Sequence, residues 1–347
     1  MATTDPMDRI DTGPASAGLT IGVYAYEHTQ PLLDGRVATV VPDGRPVAYE
    51  TSPLVSDIFR NTVEGRYDLA EYGLTYFLRT FDLDDSPFLA LPIFPNRNFR
   101  HSAIFVNPAA GIEKPQDLAG KTIGEFALYG SDPGVWLKGI LADEYGLRPE
   151  QSRWIIGGTN HPIPAFDWIP QPVPAGVDVR HAADGQRLGA MLESGEIDAL
   201  LSVDVPQAVL DGSPKVARLF PDHQSVERDY YRRTGIFPQM HIVAIRRELA
   251  SEPGLVRAVY RAFCEAKGLV QQKYRDDAVK QHMSVVTPWF SALFEQNRRL
   301  LGEDWWPYGV EANRKAINTF LRYHHEQGLS KRLLTCEDIF VPELLDT

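Results

Sequence analysis

The sequence predicts an α/β protein of two lobes, with two crossing strands between them and a helical cover at the C-terminus. Three observations carry that reading. Residues 94–107, FPNRNFRHSAIFVN, run from an Arg-bearing loop into an apolar, β-prone stretch. Residues 235–245, GIFPQMHIVAI, repeat the plan far along the chain, with Phe, Pro and a His at the mouth of the run. A helix-to-strand junction of the form Gly-x-x-Asp-apolar occurs twice, at Gly65-Arg66-Tyr67-Asp68-Leu69 and at Gly195-Glu196-Ile197-Asp198-Ala199, which implies two similarly built halves. After Pro253 apolar residues fall at helical spacing, as in Val256, Val259, Tyr260, Phe263 and Cys264. The expected boundaries are a flexible tail over residues 1–18, a first lobe from 19–104 plus 240–347, and a second lobe from 105–239.

Bulk properties narrow the partners. A chain of 347 residues can bury a core in each of two lobes. The net charge of −11 leaves no basic surplus to neutralise phosphates, so nucleic acid is not expected as a partner. A small acidic ligand stays open, because a local Arg cluster overrides the global field. The two cysteines, Cys264 and Cys336, lack CxxC spacing and are expected to be reduced thiols. The first 20 residues show no basic and apolar signal pattern, and no apolar run reaches the roughly 18 residues of a membrane span. The expectation is a cytoplasmic protein without membrane partners.

In order, residues 19–26 read as the first strand, ending in the polar tetrad Glu27-His28-Thr29-Gln30 at the end where open α/β sheets bind ligands. Residues 37–51 read as extended and broken by Pro42-Asp43-Gly44, 56–64 and 74–81 as helices, and 67–73 as a strand. The second lobe opens with a strand at 120–124 and a helix at 135–145. Gly130-Ser131-Asp132-Pro133-Gly134 precedes that helix, so its N-terminus is expected either to receive a carboxylate or to be capped by Ser131 or Asp132. A strand at 154–158, a Pro-rich loop at 159–176, a helix at 188–194 and a strand at 199–203 follow. Helices are expected over 255–274, 277–283, 291–301, 311–327 and 337–340, covering the first lobe. Trp305-Trp306-Pro307-Tyr308-Gly309 interrupts them as a packing anchor or a contact between subunits of a homo-oligomer. His324-His325 reads as solvated.

The chemistry-bearing residues sit at the strand mouths. Arg97 and Arg100 offer planar forks to a carboxylate, with Ser102 and Ser131 as further donors. His101 and His241 are the candidate catalytic histidines, with Glu71 to orient or deprotonate one of them, and His28 and Tyr26 are expected to line the bound ligand. Aromatic partners for a flat ligand lie close by in Tyr24, Tyr72 and Phe99. His28, Glu71, His101 and His241 could together hold a divalent metal, although no HxH or HExxH spacing supports it. No nucleophile triad, phosphate loop or nucleotide fingerprint occurs.

Several stretches go further. The element order resembles the type II periplasmic-binding-protein fold. Leu32-Leu33-Asp34-Gly35-Arg36-Val37, Phe99-Arg100-His101-Ser102, Arg218-Leu219-Phe220-Pro221-Asp222, Tyr231-Arg232-Arg233-Thr234-Gly235-Ile236-Phe237-Pro238 and Trp306-Pro307-Tyr308-Gly309 are similar to the 4,5-dihydroxyphthalate decarboxylase family. The resemblance implies removal of one carboxyl group from a catechol dicarboxylate, giving 3,4-dihydroxybenzoate and CO2 without an organic cofactor. Two positions depart from the family pattern: Tyr26-Glu27-His28-Thr29 stands where a Tyr-Asp-Arg-Thr-like tetrad is expected, and Asp204 where a basic residue is expected. The alternative is a non-catalytic binding protein for an aromatic acid, since this fold serves binders and enzymes alike.

Overall fold

The computed structural model describes residues 18–83 and 85–347. All but Gly18 of the expected tail lies outside the described residues. The chain begins with β1 (Leu19–Gly22), α1 (Gln30–Leu33), β2 (Val47–Glu50), α2 (Val55–Val63), β3 (Leu69–Gly73), α3 (Leu74–Arg79) and β4 (Phe88–Leu91). It crosses through residues 92–103 into β5 (Ile104–Val106), β6 (Thr122–Phe126), α4 (Asp132–Tyr145), β7 (Arg153–Gly157) and β8 (Asp178–His181). Then come α5 (Leu188–Ser194), β9 (Ala199–Leu201), α6 (Gln207–Leu210), β10 (Ala217–Arg218) and α7 (His223–Thr234). Residues 235–240 cross back into β11 (His241–Arg246), and the chain ends in α8 (Leu255–Ala278), α9 (Phe290–Leu301), α10 (Arg314–Glu326) and α11 (Cys336–Ile339).

Two mixed sheets result, ordered β2-β1-β3-β11-β4 and β10-β5-β9-β6-β7-β8. In the first, β1 runs parallel to β2 and β3, while β11 lies antiparallel between β3 and β4. In the second, β6 runs parallel to β7 and β9, and β5 antiparallel to β9. The two crossings lie side by side, as expected: Arg97 and Gln239 form an antiparallel bridge, flanked by Met240 N–H to the Asn96 carbonyl at 2.8 Å and Asn98 N–H to the Pro238 carbonyl at 3.1 Å. Each crossing is thereby fixed by main-chain bonds as well as by side chains.

Three differences from the sequence reading have physical causes. The helix expected from residue 135 starts at Asp132, because Ser131 supplies the cap and Pro133 suits the first turn, where its missing N–H costs no bond. No separate helix forms over 277–283; α8 carries on to Ala278, and Gln281 and His282 adopt positive φ. The C-terminal helices also reach beyond the first sheet. The Trp136 ring of α4 packs on Phe320 and Tyr323 of α10 at 5.4 and 5.8 Å, and the Gln327 amide donates to the Val135 carbonyl at 2.9 Å. Residues from both sheets and from α10 accordingly share one continuous apolar core, from Leu19 and Ile21 through Trp136 and Trp154 to Phe320.

Candidate active site

The register of β3 against β11 sets the first pair. Gly73 lies opposite His241 and Glu71 opposite Val243. Side chains two apart on a strand share a face, so Glu71 and His241 emerge together, one diagonal step apart. His241 Nδ1–H donates to Glu71 Oε1 at 2.6 Å. The same oxygen accepts the Tyr26 hydroxyl at 2.7 Å, and Oε2 accepts the Tyr24 N–H at 2.9 Å, so the fully buried carboxylate is held by three donors. Asn96 Nδ2 donates to the Tyr26 oxygen at 3.1 Å. Burial and the adjoining Glu71 charge push the Tyr26 phenol far above its usual range, so it stays a donor. With Nδ1 committed to Glu71, Nε2 is the nitrogen left for chemistry.

Asp132, the first residue of α4, approaches from the second sheet. Its Oδ1 accepts the Thr75 N–H of α3 at 2.5 Å, and its Oδ2 lies 3.9 Å from His241 Nε2. Close approach is possible because residue 73 is glycine: a Cβ there would fall 2.7 Å from Oδ2. A helix N-terminus favours the ionised carboxylate, yet burial wins and raises the Asp132 carboxyl to about 6, against the opposing pull of His241, the Thr75 N–H, Arg100 and Arg79. This carboxyl can therefore carry a proton close to neutral pH. It is the residue that the sequence reading misses as a site group. The clue lay in having Ser131 already available as the cap, which leaves the one acid of the first turn, Asp132, without a capping role.

Arg100 completes the cluster from the crossing. Its Nε donates to Met240 Sδ at 3.2 Å, and its terminal nitrogens meet no hydrogen-bond partner among the described residues, though the side chain is buried. Burial lowers the guanidinium to about 10, with Asp132 and Glu227 acting the other way, so it remains a cation at neutral pH. Arg97 differs. Its terminal nitrogens are used by the carbonyls of Phe237 at 3.2 Å and Pro307 at 2.5 Å and by Asn313 Oδ1 at 2.5 Å, and its fork lies over Phe94. It ties the crossings to the C-terminal cover, leaving no fork for a ligand. Trp306 works beside it, donating to the Phe94 carbonyl at 2.9 Å, and so anchors packing in the way expected of its motif.

His101 is not brought to the cluster. Residues 101–103 form a 3-10 turn before β5, so Arg100 and His101 point apart. The His101 ring packs against Phe220 at 5.4 Å and Tyr230 at 5.3 Å, and neither of its nitrogens finds a partner. Burial lowers it to about 4, with smaller effects from Glu144 and Arg233, at the far end of the roughly 20 Å long α4 and on α7. The Ser102 backbone is committed, N–H to Glu227 Oε1 at 2.8 Å and carbonyl to Arg218. Ser131 is occupied as the α4 cap, accepting the Gly134 N–H at 3.4 Å. His28 stacks on Tyr26 at 5.4 Å and leans on Trp306 at 5.3 Å, flanking the cluster behind Tyr26. Burial brings it down to about 4. The four side chains considered for a metal thus stand in three places, and no group of three or more His, Cys, Asp or Glu among the described residues is arranged to hold an ion. His324, expected in solvent, is buried and its Nε2 meets Thr75 Oγ1 at 3.1 Å, supporting the residue that holds Asp132.

Comparison places this architecture among known proteins. No protein-family model matches the sequence. The periplasmic aliphatic sulphonate binding protein of Escherichia coli superposes with a TM-score of 0.51 at 15% identity, over 96% of this chain and 100% of that one. A zinc-bound ligand-binding component of an ABC-type import system from Staphylococcus aureus gives 0.51 at 12% identity, over 95% and 98%. The fold is that of the periplasmic binding proteins, two α/β lobes with paired crossings. In sequence, a 4,5-dihydroxyphthalate decarboxylase of Comamonas testosteroni is 32% identical over 330 residues, 95% of this chain and 98% of the relative. Another, of Pseudomonas putida, is 33% identical over 214 residues, 62% and 81%. The chain belongs to the 4,5-dihydroxyphthalate decarboxylase family, and that membership supports a decarboxylase.

Proposed function

We propose that the protein decarboxylates a hydroxylated aromatic carboxylic acid, of the kind its relatives' names describe, at the cluster of Arg100, His241, Asp132 and Glu71. The observation that carries this reading is the placement of His241, bonded to Glu71 at 2.6 Å on one nitrogen and 3.9 Å from Asp132 on the other, beside an Arg with an unpartnered fork. Arg100 holds the carboxylate. Asp132, with its raised affinity for a proton, delivers that proton to the ring carbon bearing the carboxylate. His241 Nε2, backed by Glu71, draws the proton from a ring hydroxyl and sends electron density into the ring. The bond from ring carbon to carboxylate then breaks, its electron pair restores the aromatic ring, and CO2 leaves. The phenolic proton returns to oxygen, and Asp132 takes a fresh proton from solvent.

The ring accepts and returns the electrons, so the reading calls for no organic cofactor. Incubation with a panel of catechol and phenol carboxylic acids that includes 4,5-dihydroxyphthalate, with CO2 and the phenolic product followed together, tests it. Turnover of at least one acid, with a raised KM in Arg100→Gln, is the expected result. Tight binding of an acid that is never consumed would instead establish the protein as a binder.

A further inference from the structure

Among the described residues, the cluster offers a ligand one free buried cation. Five cationic side chains are buried among the described residues: Arg79, Arg97, Arg100, Lys138 and Lys267. Four are spent on the protein. Arg79 donates to the carbonyls of Pro170 at 2.9 Å and Tyr129 at 2.7 Å, and Arg97 to two carbonyls and Asn313 as described above. Lys138 sits at 2.6 Å from both oxygens of Glu125, and Lys267 bonds Asp304 at 2.6 Å and the Trp306 carbonyl at 2.9 Å. Arg100 alone of the five keeps terminal donors without a partner. The other anion position that the sequence offered, the start of α4, is filled from within: Ser131 caps it, and the Asp132 carboxylate occupies the space against Thr75. Two carboxylates, Asp132 and Glu71, flank His241, and the Glu227 charge acts on Arg100 from α7.

Granted the decarboxylase reading above, on which this rests, we infer that the chain prefers aromatic acids bearing a single carboxylate over the dicarboxylates named for its relatives. One carboxylate satisfies the Arg100 fork. A second, on the neighbouring ring carbon, has no buried cation to meet and enters a water-poor site unpaired, where an uncompensated charge is costly. The single-carboxylate reaction balances with the groups present: the proton goes from Asp132 to the ring carbon, the carbon–carbon bond breaks, CO2 departs, and a phenol remains.

The test uses two acids that differ only in the extra carboxylate, 3,4-dihydroxybenzoate and 4,5-dihydroxyphthalate, with kcat/KM measured for each at neutral pH and binding of each measured by calorimetry. The expected result is a preference of at least about tenfold for 3,4-dihydroxybenzoate in both measurements. A smaller preference, or a preference for the dicarboxylate, overturns the inference. If neither acid is consumed, the decarboxylase reading loses support from these two substrates, and the binding ratios still decide the question of charge.

Discussion

Asp132 works against the stability of its own protein. Its carboxyl titrates near 6 in the folded chain, against the ordinary 3.8, so the folded state takes up the proton more readily than the unfolded one. The resulting penalty appears as pH rises from about 4 to about 6 and is fully present above that, at about 1–3 kcal/mol. Asp132→Asn should therefore unfold at higher urea than the parent at neutral pH, match it near pH 4, and lose most of its turnover. His101 has the opposite sign. It is held neutral with a value near 4, so the unfolded chain gains the proton first and stability falls as pH drops from about 6.5 to about 4. His101→Phe, which fits between Phe220 and Tyr230 and removes two unpartnered nitrogens, should flatten that fall by up to about 3 kcal/mol and leave kcat unchanged. His241 and Arg100 were legible in the sequence because they lie at or just before strand mouths, and Glu71, in the middle of β3, because it follows the Gly-x-x-Asp junction. Arg97 and His101 were not separable from them, since a 3-10 turn and a set of distant carbonyls decide where those side chains point.

Helix α4 owes its position to a buried ion pair. Lys138 and Glu125 are almost wholly enclosed, Lys138 lies 4.1 Å from the centre of the Tyr129 ring, and Glu125 also accepts the Gly130 N–H at 2.9 Å. The first turn of α4 rests directly on that carboxylate: a Cβ at Gly134 would stand 1.7 Å from Glu125 Oε1. Removing one partner leaves the other charge buried and unpaired, so Lys138→Met should cost about 3–5 kcal/mol in urea unfolding, while Glu125→Gln combined with Lys138→Met should recover much of that loss. Gly134→Ala should shift the start of α4 and lower turnover through Asp132, with a smaller effect on the KM set by Arg100. Sequence periodicity located this helix but placed its beginning three residues late, at 135. A run of Ser, Asp, Pro and Gly looks like a loop until the cap is seen, and the acid that matters lies within those three residues.

Across the whole molecule, the C-terminal cover binds the two sheets into one body. Tyr323 of α10 donates to Asp143 of α4 at 2.7 Å, Arg322 pairs with the same carboxylate at 2.6 Å, and Trp136 Nε1–H donates to the Gln239 carbonyl at 2.7 Å. Contacts of this kind on α4 oppose a wide hinge opening, so the radius of gyration measured by X-ray scattering should not change when an aromatic acid binds. The two lobes and paired crossings could be read from the repeated strand mouths and the doubled Gly-x-x-Asp junction. The bridging role of α10 could not, because a helical stripe shows that a face is buried without showing against what. Everything proposed for the chemistry turns on His241 standing between two carboxylates. Rapid-quench measurement of CO2 release by His241→Gln, on whichever acid the parent consumes fastest, tests this most directly: the chemical step should slow by about 10²–10⁴-fold with substrate affinity little altered, and a rate equal to the parent's would place the proton transfers elsewhere.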